Sequence, residues 1–179
     1  MSLRLDFCKY EAAKYAVLNW HYSKTMPCGK LVKIGVWEDE KFIGCVIFGR
    51  GANNKMHQFF KCEKDELCEL VRVALKKHET PTTKIVAIAL KLLKKSNTGL
   101  KLVFSYADQT RQNHKGIIYR AGNWQYLGER RCKNGYIELR GKIYHARSMN
   151  SKYGSVSNFP DGWKRTGDFV KHLFVYYLR

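Results

Sequence analysis

The sequence predicts an α/β fold in which a mixed, partly antiparallel sheet is flanked by helices. Three observations predict it. Leu31–Trp37 and Lys41–Phe48 are β-branched and aromatic runs parted only by Glu38-Asp39-Glu40, which reads as an antiparallel hairpin. Glu69–Ala74 and Leu100–Tyr106 are apolar runs joined through a helical stretch, which calls for a parallel pair with a right-handed crossover. The chain has 179 residues, 45% of them hydrophobic and 13% aromatic, so it can bury a core without disulfides or metal. With no internal repeat and no linker, residues 1–179 are expected to form a single domain.

The elements follow in order. Phe7 to Trp20 reads as a helix, because Phe7, Tyr10, Ala13 or Lys14, and Val17 or Leu18 recur at near-helical spacing. After the hairpin, Gly49 to Asn54 is a flexible loop. Thr80 is a good N-cap and Pro81 suits the first helical position, where no amide donor is needed, so a helix is expected through Lys95. Ile85, Ile88, Ala89 and Leu92 share one face of it, and Ser96-Asn97-Thr98-Gly99 stops it. The strand from Leu100 ends at Ala107-Asp108, and Gly116–Ala121 forms a short helix. Trp124–Leu127, Gly135–Leu139 and Phe169–Leu178 read as strands. Arg147 to Lys164 is polar and serine- and glycine-bearing, and is read as a long functional loop.

Charge narrows the partner. Lys and Arg number 33 against 15 Asp and Glu, a formal net charge of +18, and most of the excess falls after residue 80. Arg111, Lys115, Arg120, Arg130, Arg131 and Arg147 recur there with few counter-charges. Such density repels itself unless a polyanion neutralises it, so nucleic acid is the expected partner, ahead of a membrane surface or plain solvation. No apolar run reaches a membrane span and no signal-peptide pattern opens the chain, so a cytosolic protein is expected. The cysteines, Cys8, Cys28, Cys45, Cys62, Cys68 and Cys132, form no CxxC pair; reduced thiols are expected rather than a zinc site. Acidic residues do not cluster as a divalent-metal nuclease would need.

The order of hairpin, central strand, helix, parallel strand and short helix resembles the GNAT acyltransferase fold, with Gly116 to Trp124 standing where that family carries a Tyr-containing helix and a Gly-aromatic turn. More specifically, His21-Tyr22, Glu69-Leu70-Val71-Arg72, Ser105-Tyr106-Ala107-Asp108, His114-Lys115-Gly116, Ile118-Tyr119 and Asn123-Trp124-Gln125-Tyr126, with Lys171-His172 near the end, resemble bacteriophage Mom-like DNA adenine modification proteins. That resemblance covers about residues 20 to 176. It implies a GNAT-like domain that converts adenine in phage DNA to its N6-carbamoylmethyl form, protecting the DNA from restriction in the cytoplasm of the infected host. Double-stranded DNA is the implied partner, and the protein is expected as a monomer or homodimer.

Site roles follow from the resemblance. Asp108, at the carboxyl end of a parallel strand, would accept a proton from the adenine amine or orient it; the other reading is a loop cap. Tyr119 would protonate the leaving group, against the reading of a core tyrosine. His21 and Tyr22 would line the base pocket or move protons, and Ser105 is a weaker candidate. Arg72, in an apolar strand, needs a partner: Glu69, donor or substrate. Thr82 and Thr83 would receive a donor anion at the helix start. The stretch His78 to Thr83 lacks the glycines of the GNAT pyrophosphate turn, so the donor is left between acyl-CoA and glycyl-tRNA. A metal is not expected, although His21, Tyr22 and Asp108 are residue types that could ligate one. A flipped adenine would stack on one or two of Trp20, Tyr22, Trp124, Tyr126 and Trp163. Two other functions stay open: an N-acyltransferase acting on tRNA or protein, and a non-catalytic DNA-binding accessory protein.

Overall fold

A computed structural model gives the fold and describes residues 2–51, 53–109, 113–132, 135–166 and 169–178; for Cys132, His145, Arg147, Ser148, Ser151 and Phe169 it describes the backbone alone. The chain divides into two compact units. Residues 1–105, 117–126 and 174–179 form the first, and residues 106–116 and 127–173 the second.

The N-terminal part runs β1 (Leu3–Phe7), α1 (Tyr10–Trp20), β2 (Leu31–Glu38), β3 (Lys41–Gly49), α2 (Met56–Phe60), β4 (Leu67–Leu75) and α3 (Thr82–Ser96). It continues with β5 (Leu102–Asp108), α4 (Ile117–Arg120) and β6 (Gln125–Cys132). Then come β7 (Tyr136–Leu139), β8 (Lys142–His145), α5 (Ala146–Tyr153), a 3-10 turn at Val156–Asn158, β9 (Trp163–Arg165) and β10 (Phe169–Tyr177). Seven strands pair in the order β1-β2-β3-β4-β5-β10-β6, and three in the order β8-β7-β9. The mixed, mostly antiparallel sheet flanked by helices is therefore as the sequence predicts, and β4 and β5 are its parallel pair.

In the first unit, β2 and β3 form the expected hairpin. Glu38 pairs with Lys41, and Asp39 and Glu40 take the left-handed conformation at φ 46° and 62° that a tight hairpin turn requires. β3 is buried from Ile43 to Gly49, so its run reads as continuously apolar rather than alternating. Cys45 and Ile47 pack under Ala13, Ala16 and Val17 of α1 and against Ala74 of β4. Val46 and Phe48, one residue out of step, point to the other face of the sheet. The buried stripe of α3 is Ile85, Val86, Ala89, Leu90 and Leu93, and this helix packs toward β1 and β2. A side chain at Gly44 would set its Cβ 2.0 Å from the Ala74 carbonyl oxygen, so only glycine allows β3 and β4 to approach there.

Several sequence expectations are corrected. The first helix begins at Tyr10, and Leu3–Phe7 is a strand paired antiparallel with β2, Leu3 opposite Glu38 and Phe7 opposite Ile34. Its alternation of Leu3, Leu5 and Phe7 with Arg4 and Asp6 is a period-2 signal that the helical spacing of Phe7 and Tyr10 masks. Met56–Phe60 is a short helix that was not foreseen. α3 begins at Thr82 with Pro81 as its N-cap, one residue later than expected. The segment Arg147 to Lys164 is no single loop: it holds most of α5, the 3-10 turn and the start of β9. Met149 and Phe159, spread through that polar stretch, join Ile137 in a small core of the second unit, with Leu139, Tyr153 and Trp163 packed on it. Isolated apolar residues ten apart carry no period, which is why the pattern was unreadable. β8 was likewise missed.

Candidate functional site

The parallel pairing of β4 with β5 is short. It joins Leu67 to Leu102, Cys68 to Val103 and Glu69 to Phe104, and then stops, although β4 runs on to Leu75 and β5 to Asp108. The next residues across the gap are linked by a side chain instead. Ser105, 1% exposed, donates its hydroxyl proton to the Leu70 carbonyl at 2.8 Å. The Tyr119 phenolic oxygen from α4 lies 2.8 Å from the same serine oxygen. Ser105 has one proton and gives it to Leu70, so Tyr119 donates to Ser105. Burial pushes the Tyr119 phenol far above its ordinary range, only partly offset by the Ser105 bond, so it is a neutral donor. Phe174 and Trp124 pack on its ring, with centroids at 5.0 and 5.1 Å.

On the other side of β4 the antiparallel ladder slips. Ile47 faces Arg72 and Phe48 faces Leu70, so Val71 is an extra residue, a β-bulge. Bulges re-aim the neighbouring side chains, and they concentrate beside sites. Arg72 turns back onto the backbone. Its Nη1 donates to the Val71 carbonyl at 2.7 Å, and its Nε and Nη2 both donate to the Thr25 carbonyl at 3.3 and 3.2 Å. The guanidinium thereby ties the loop after α1 to the bulge. Burial lowers its proton affinity, while Tyr22 and then Glu69 raise it, so both groups lie within electrostatic reach.

That loop carries His21 and Tyr22. His21 is 7% exposed, and its Nδ1 accepts the Ser23 amide at 3.1 Å and lies 2.8 Å from the Ser23 hydroxyl. Accepting at Nδ1 leaves the ring proton on Nε2 of the neutral imidazole. The Tyr22 ring stacks on it at 4.1 Å and is half exposed. Within the first unit, the fold thus brings His21, Tyr22, Arg72, Ser105 and Tyr119 around the end of the parallel ladder. Glu69 belongs with them: its carboxylate packs on Gly51, where no Cβ would fit, and it acts electrostatically on Tyr119 and Arg72. The sequence offered it only as an ion-pair partner.

The turn that leads into α3 is engaged by the protein itself. The Glu38 carboxylate from β2 accepts the Glu79 amide at 3.1 Å, the Thr80 amide at 2.8 Å and the Thr80 hydroxyl. The Thr80 hydroxyl, and then the two amides, hold Glu38 below the usual carboxylate range. The expected cap Thr80 is thus a donor to Glu38. His78 Nδ1 donates to the Lys76 carbonyl at 2.7 Å, and its Nε2 lies 3.1 Å from the Thr82 hydroxyl oxygen. Thr83 is half-buried in the first turn. A carboxylate among these donors repels a second anion, and the stretch has no glycine for close approach. The stretch thus differs from a glycine-rich pyrophosphate turn, and the amides that Glu38 takes are those of Glu79 and Thr80, ahead of the helix.

Asp108 belongs to the second unit, half-buried as the last residue of β5; its carbonyl accepts the His114 amide at 3.1 Å. His114 Nδ1 accepts the Gly116 amide at 3.0 Å, which again fixes a neutral ring protonated at Nε2. Burial lowers the proton affinity of His114, and nearby Asp108 offsets part of this. His172 of β10 is 7% exposed and its Nε2 lies 2.6 Å from Gln109 Oε1. Neither His172 nor Gln109 was singled out for chemistry; a histidine in an apolar strand beside Leu173 and Phe174 was the available signal. Among the described residues, no group of three or more His, Cys, Asp or Glu side chains is placed to hold a metal. Cys45 and Cys68 are buried, and their thiols are pushed up to about 12.

Of the expected nucleic-acid contacts, Arg120 is exposed with its guanidinium 4.7 Å from the Tyr126 ring. Lys115 and Arg131 are exposed and Arg130 half-exposed. Arg111 lies outside the described residues, as does the side chain of Arg147, whose backbone is in α5. No described helix is long and apolar enough to cross a membrane.

The fold has solved counterparts. An N-acetyltransferase from Staphylococcus aureus Mu50 superimposes with a TM-score of 0.54 at 12% identity, covering 99% of this chain and 98% of that one. The ribosomal-protein-S18-alanine N-acetyltransferase of Escherichia coli gives 0.56 at 8% identity, over 98% and 94%. A Bacillus subtilis acetyltransferase solved with CoA gives 0.52 at 11%, over 96% and 97%. At such identities the likeness establishes the GNAT fold alone. No curated protein matches the sequence. The Mom protein family model matches residues 2–172, nearly the whole length, and the chain belongs to the Mom family.

Proposed function

We propose that this protein modifies DNA, transferring a glycyl group to the N6 amine of adenine so that N6-carbamoylmethyladenine results. Membership of the Mom family over residues 2–172 supports the acceptor, and the open end of the β4–β5 ladder, lined by His21, Tyr22, Arg72, Ser105 and Tyr119, is the observation that carries an acyl-transfer reading. The attacking amine gives up its proton to a carboxylate base, the role that the family resemblance gives to Asp108. The N6 nitrogen forms a bond to the glycyl carbonyl carbon, the ester C–O bond of the donor breaks, and the carrier leaves as its hydroxyl. Tyr119 supplies that proton by turning from Ser105. The free glycyl amine then attacks C6 through a five-membered ring, and cleavage of the original C6–N6 bond leaves C6–NH–CH2–CONH2. Glycyl-tRNA suits this route, because an ester donor needs no pyrophosphate cradle at α3. The +18 charge suits both nucleic acids.

The test is mass spectrometry of nucleosides from plasmid DNA of cells expressing the chain and fed 15N-glycine. A deoxyadenosine heavier by a carbamoylmethyl group is expected, carrying one 15N more than the unmodified deoxyadenosine of the same sample. Unmodified DNA would sink the reading and turn attention to RNA or protein amines; a modified base with no such excess would sink the glycyl route alone.

A further inference from the structure

The second unit contains a two-stranded ribbon whose surface chemistry is unlike a protected sheet edge. β7 and β8 pair from Tyr136 opposite His145 to Leu139 opposite Lys142, leaving a two-residue turn. Arg140 and Gly141 in that turn have φ 51° and 74°, the doubly left-handed conformation of a type I′ hairpin. An arginine held left-handed is strained relative to Asn or Asp, which this turn ordinarily prefers. The tip is therefore Arg140-Gly141-Lys142, two cations at the far end of the ribbon. β9 pairs on the other side of β7 and adds Lys164 opposite Glu138 and Arg165 opposite Ile137. Glu138 is the only carboxylate in the three strands, and it is engaged with Lys164 at 3.8 Å.

The core of the unit lies on the face of Ile137 and Leu139, to which register assigns Tyr144 and Lys142 as well. Ile137 packs with Met149 and Phe159, while Leu139 and Trp163 close the edge of that core. Register places Ile143 beside Glu138 on the opposite face. Ile143 is 47% and Tyr144 38% exposed, and Arg140, Gly141 and Lys142 are exposed too. A lysine on an edge strand is a common guard against strand pairing, but exposed isoleucine and tyrosine beside it are not. Register puts Ile143 and Tyr144 on opposite faces, so Ile143, next to the tip cations, is the apolar group that the outer face offers.

We infer that the β7–β8 ribbon is a DNA-groove reader, its tip Arg140 and Lys142 neutralising phosphates and Ile143 contacting base or sugar edges of duplex DNA. The inference rests on the DNA reading above and names the element that holds the duplex. Four residues per strand make a ribbon about 13 Å long, and two strands about 5 Å apart enter a major groove about 12 Å wide. Charge decides the occupant. A second copy would bring two cationic tips together, whereas a phosphate backbone meets four cations against one paired acid.

Anisotropy of a labelled, mixed-sequence duplex titrated with the whole protein over a range of salt tests this. R140Q/K142Q is expected to weaken binding roughly tenfold or more at low salt and to lower the salt slope by about two. R140K/K142R should retain the slope. I143S should weaken binding with the slope unchanged. K91Q/K95Q, which removes the same charge from the exposed side of α3, should do less than R140Q/K142Q. A wild-type slope in R140Q/K142Q, an equal loss in K91Q/K95Q, or an effect confined to RNA or to self-association would overturn the inference. Nucleoside analysis of the same variants separates the two proposals. A ribbon that binds duplex in a wild-type protein leaving adenine unmodified would sink the enzyme reading only. Adenine modified normally with unchanged binding by R140Q/K142Q would sink the ribbon only.

Discussion

The Ser105 hydroxyl receives the Tyr119 proton and gives its own to the Leu70 carbonyl, so one side chain closes the gap where the β4–β5 ladder ends. The direction of these bonds orders two substitutions. Ser105→Ala leaves both a buried phenol and a buried carbonyl without this partner, whereas Tyr119→Phe leaves the Ser105–Leu70 bond intact. Losses of about 1–3 kcal/mol are expected for the first and about 0.5–1.5 kcal/mol for the second. Because the two residues share a bond, the double variant should cost less than the sum. Urea unfolding of the three proteins measures this, and a larger loss for Tyr119→Phe would reverse the donor assignment.

Glu38 leads to a prediction about the donor. Its carboxylate already receives the amides of Glu79 and Thr80, so millimolar coenzyme A is expected to leave the melting temperature of the wild-type protein unchanged. A saturable rise would mean that coenzyme A binds the folded protein, since any ligand of the folded state stabilises it. The same contacts give a pH signature. The folded pKa of Glu38 is depressed, so its contribution is present above the ordinary value near 4.5 and lost as pH falls through the folded value. Glu38→Gln should remove that part of the acid sensitivity.

His114 makes a separate pH prediction. Burial holds its pKa below the ordinary 6.5, with Asp108 opposing and His172 reinforcing the effect. The unfolded chain therefore binds the proton first on acidification. The stability associated with the neutral ring is complete above about 6.5 and falls as pH drops from there through the folded pKa. Melts at successive pH values should show the wild type losing more stability than His114→Gln across that window. Parallel curves would mean that burial does not lower the proton affinity of the ring.

What the sequence disclosed, and what it did not, separates along the range of the interactions. The β2–β3 hairpin, β4, α3 and β5 were legible because hydrophobic period, turn residues and caps are local. The candidates His21, Tyr22, Arg72, Ser105 and Tyr119 were named through motif order, and the fold places them near one another in the first unit. The partners that give them direction were not. Leu70 contributes a carbonyl, which no residue type announces. Glu38 sits 42 positions from Thr80, and only the register of β2 brings them together. β1 and α5 were lost for another reason: a five-residue strand with an exposed Phe7 and a helix of mostly polar residues have weak periods of their own.

Arg72 yields the prediction that bears most directly on activity. Its three donors bind two carbonyls, Val71 on the bulge and Thr25 in the loop carrying His21 and Tyr22. Lysine retains the charge but is a point donor on a flexible stem, so it cannot hold both carbonyls in the plane that the guanidinium fixes. Both ends of the tether are backbone atoms that exist in any variant, so the sheet should survive. What changes is the position of the loop relative to β4. A displacement near 1 Å in a reacting group costs about a hundredfold in rate. Arg72→Lys is therefore expected to cut adenine modification in cells roughly a hundredfold while the protein remains folded, as judged by its melting curve. If the guanidinium only balanced the charge of Glu69, lysine would serve as well. Full modification by Arg72→Lys would then show that the tether to Thr25 has no part in the reaction.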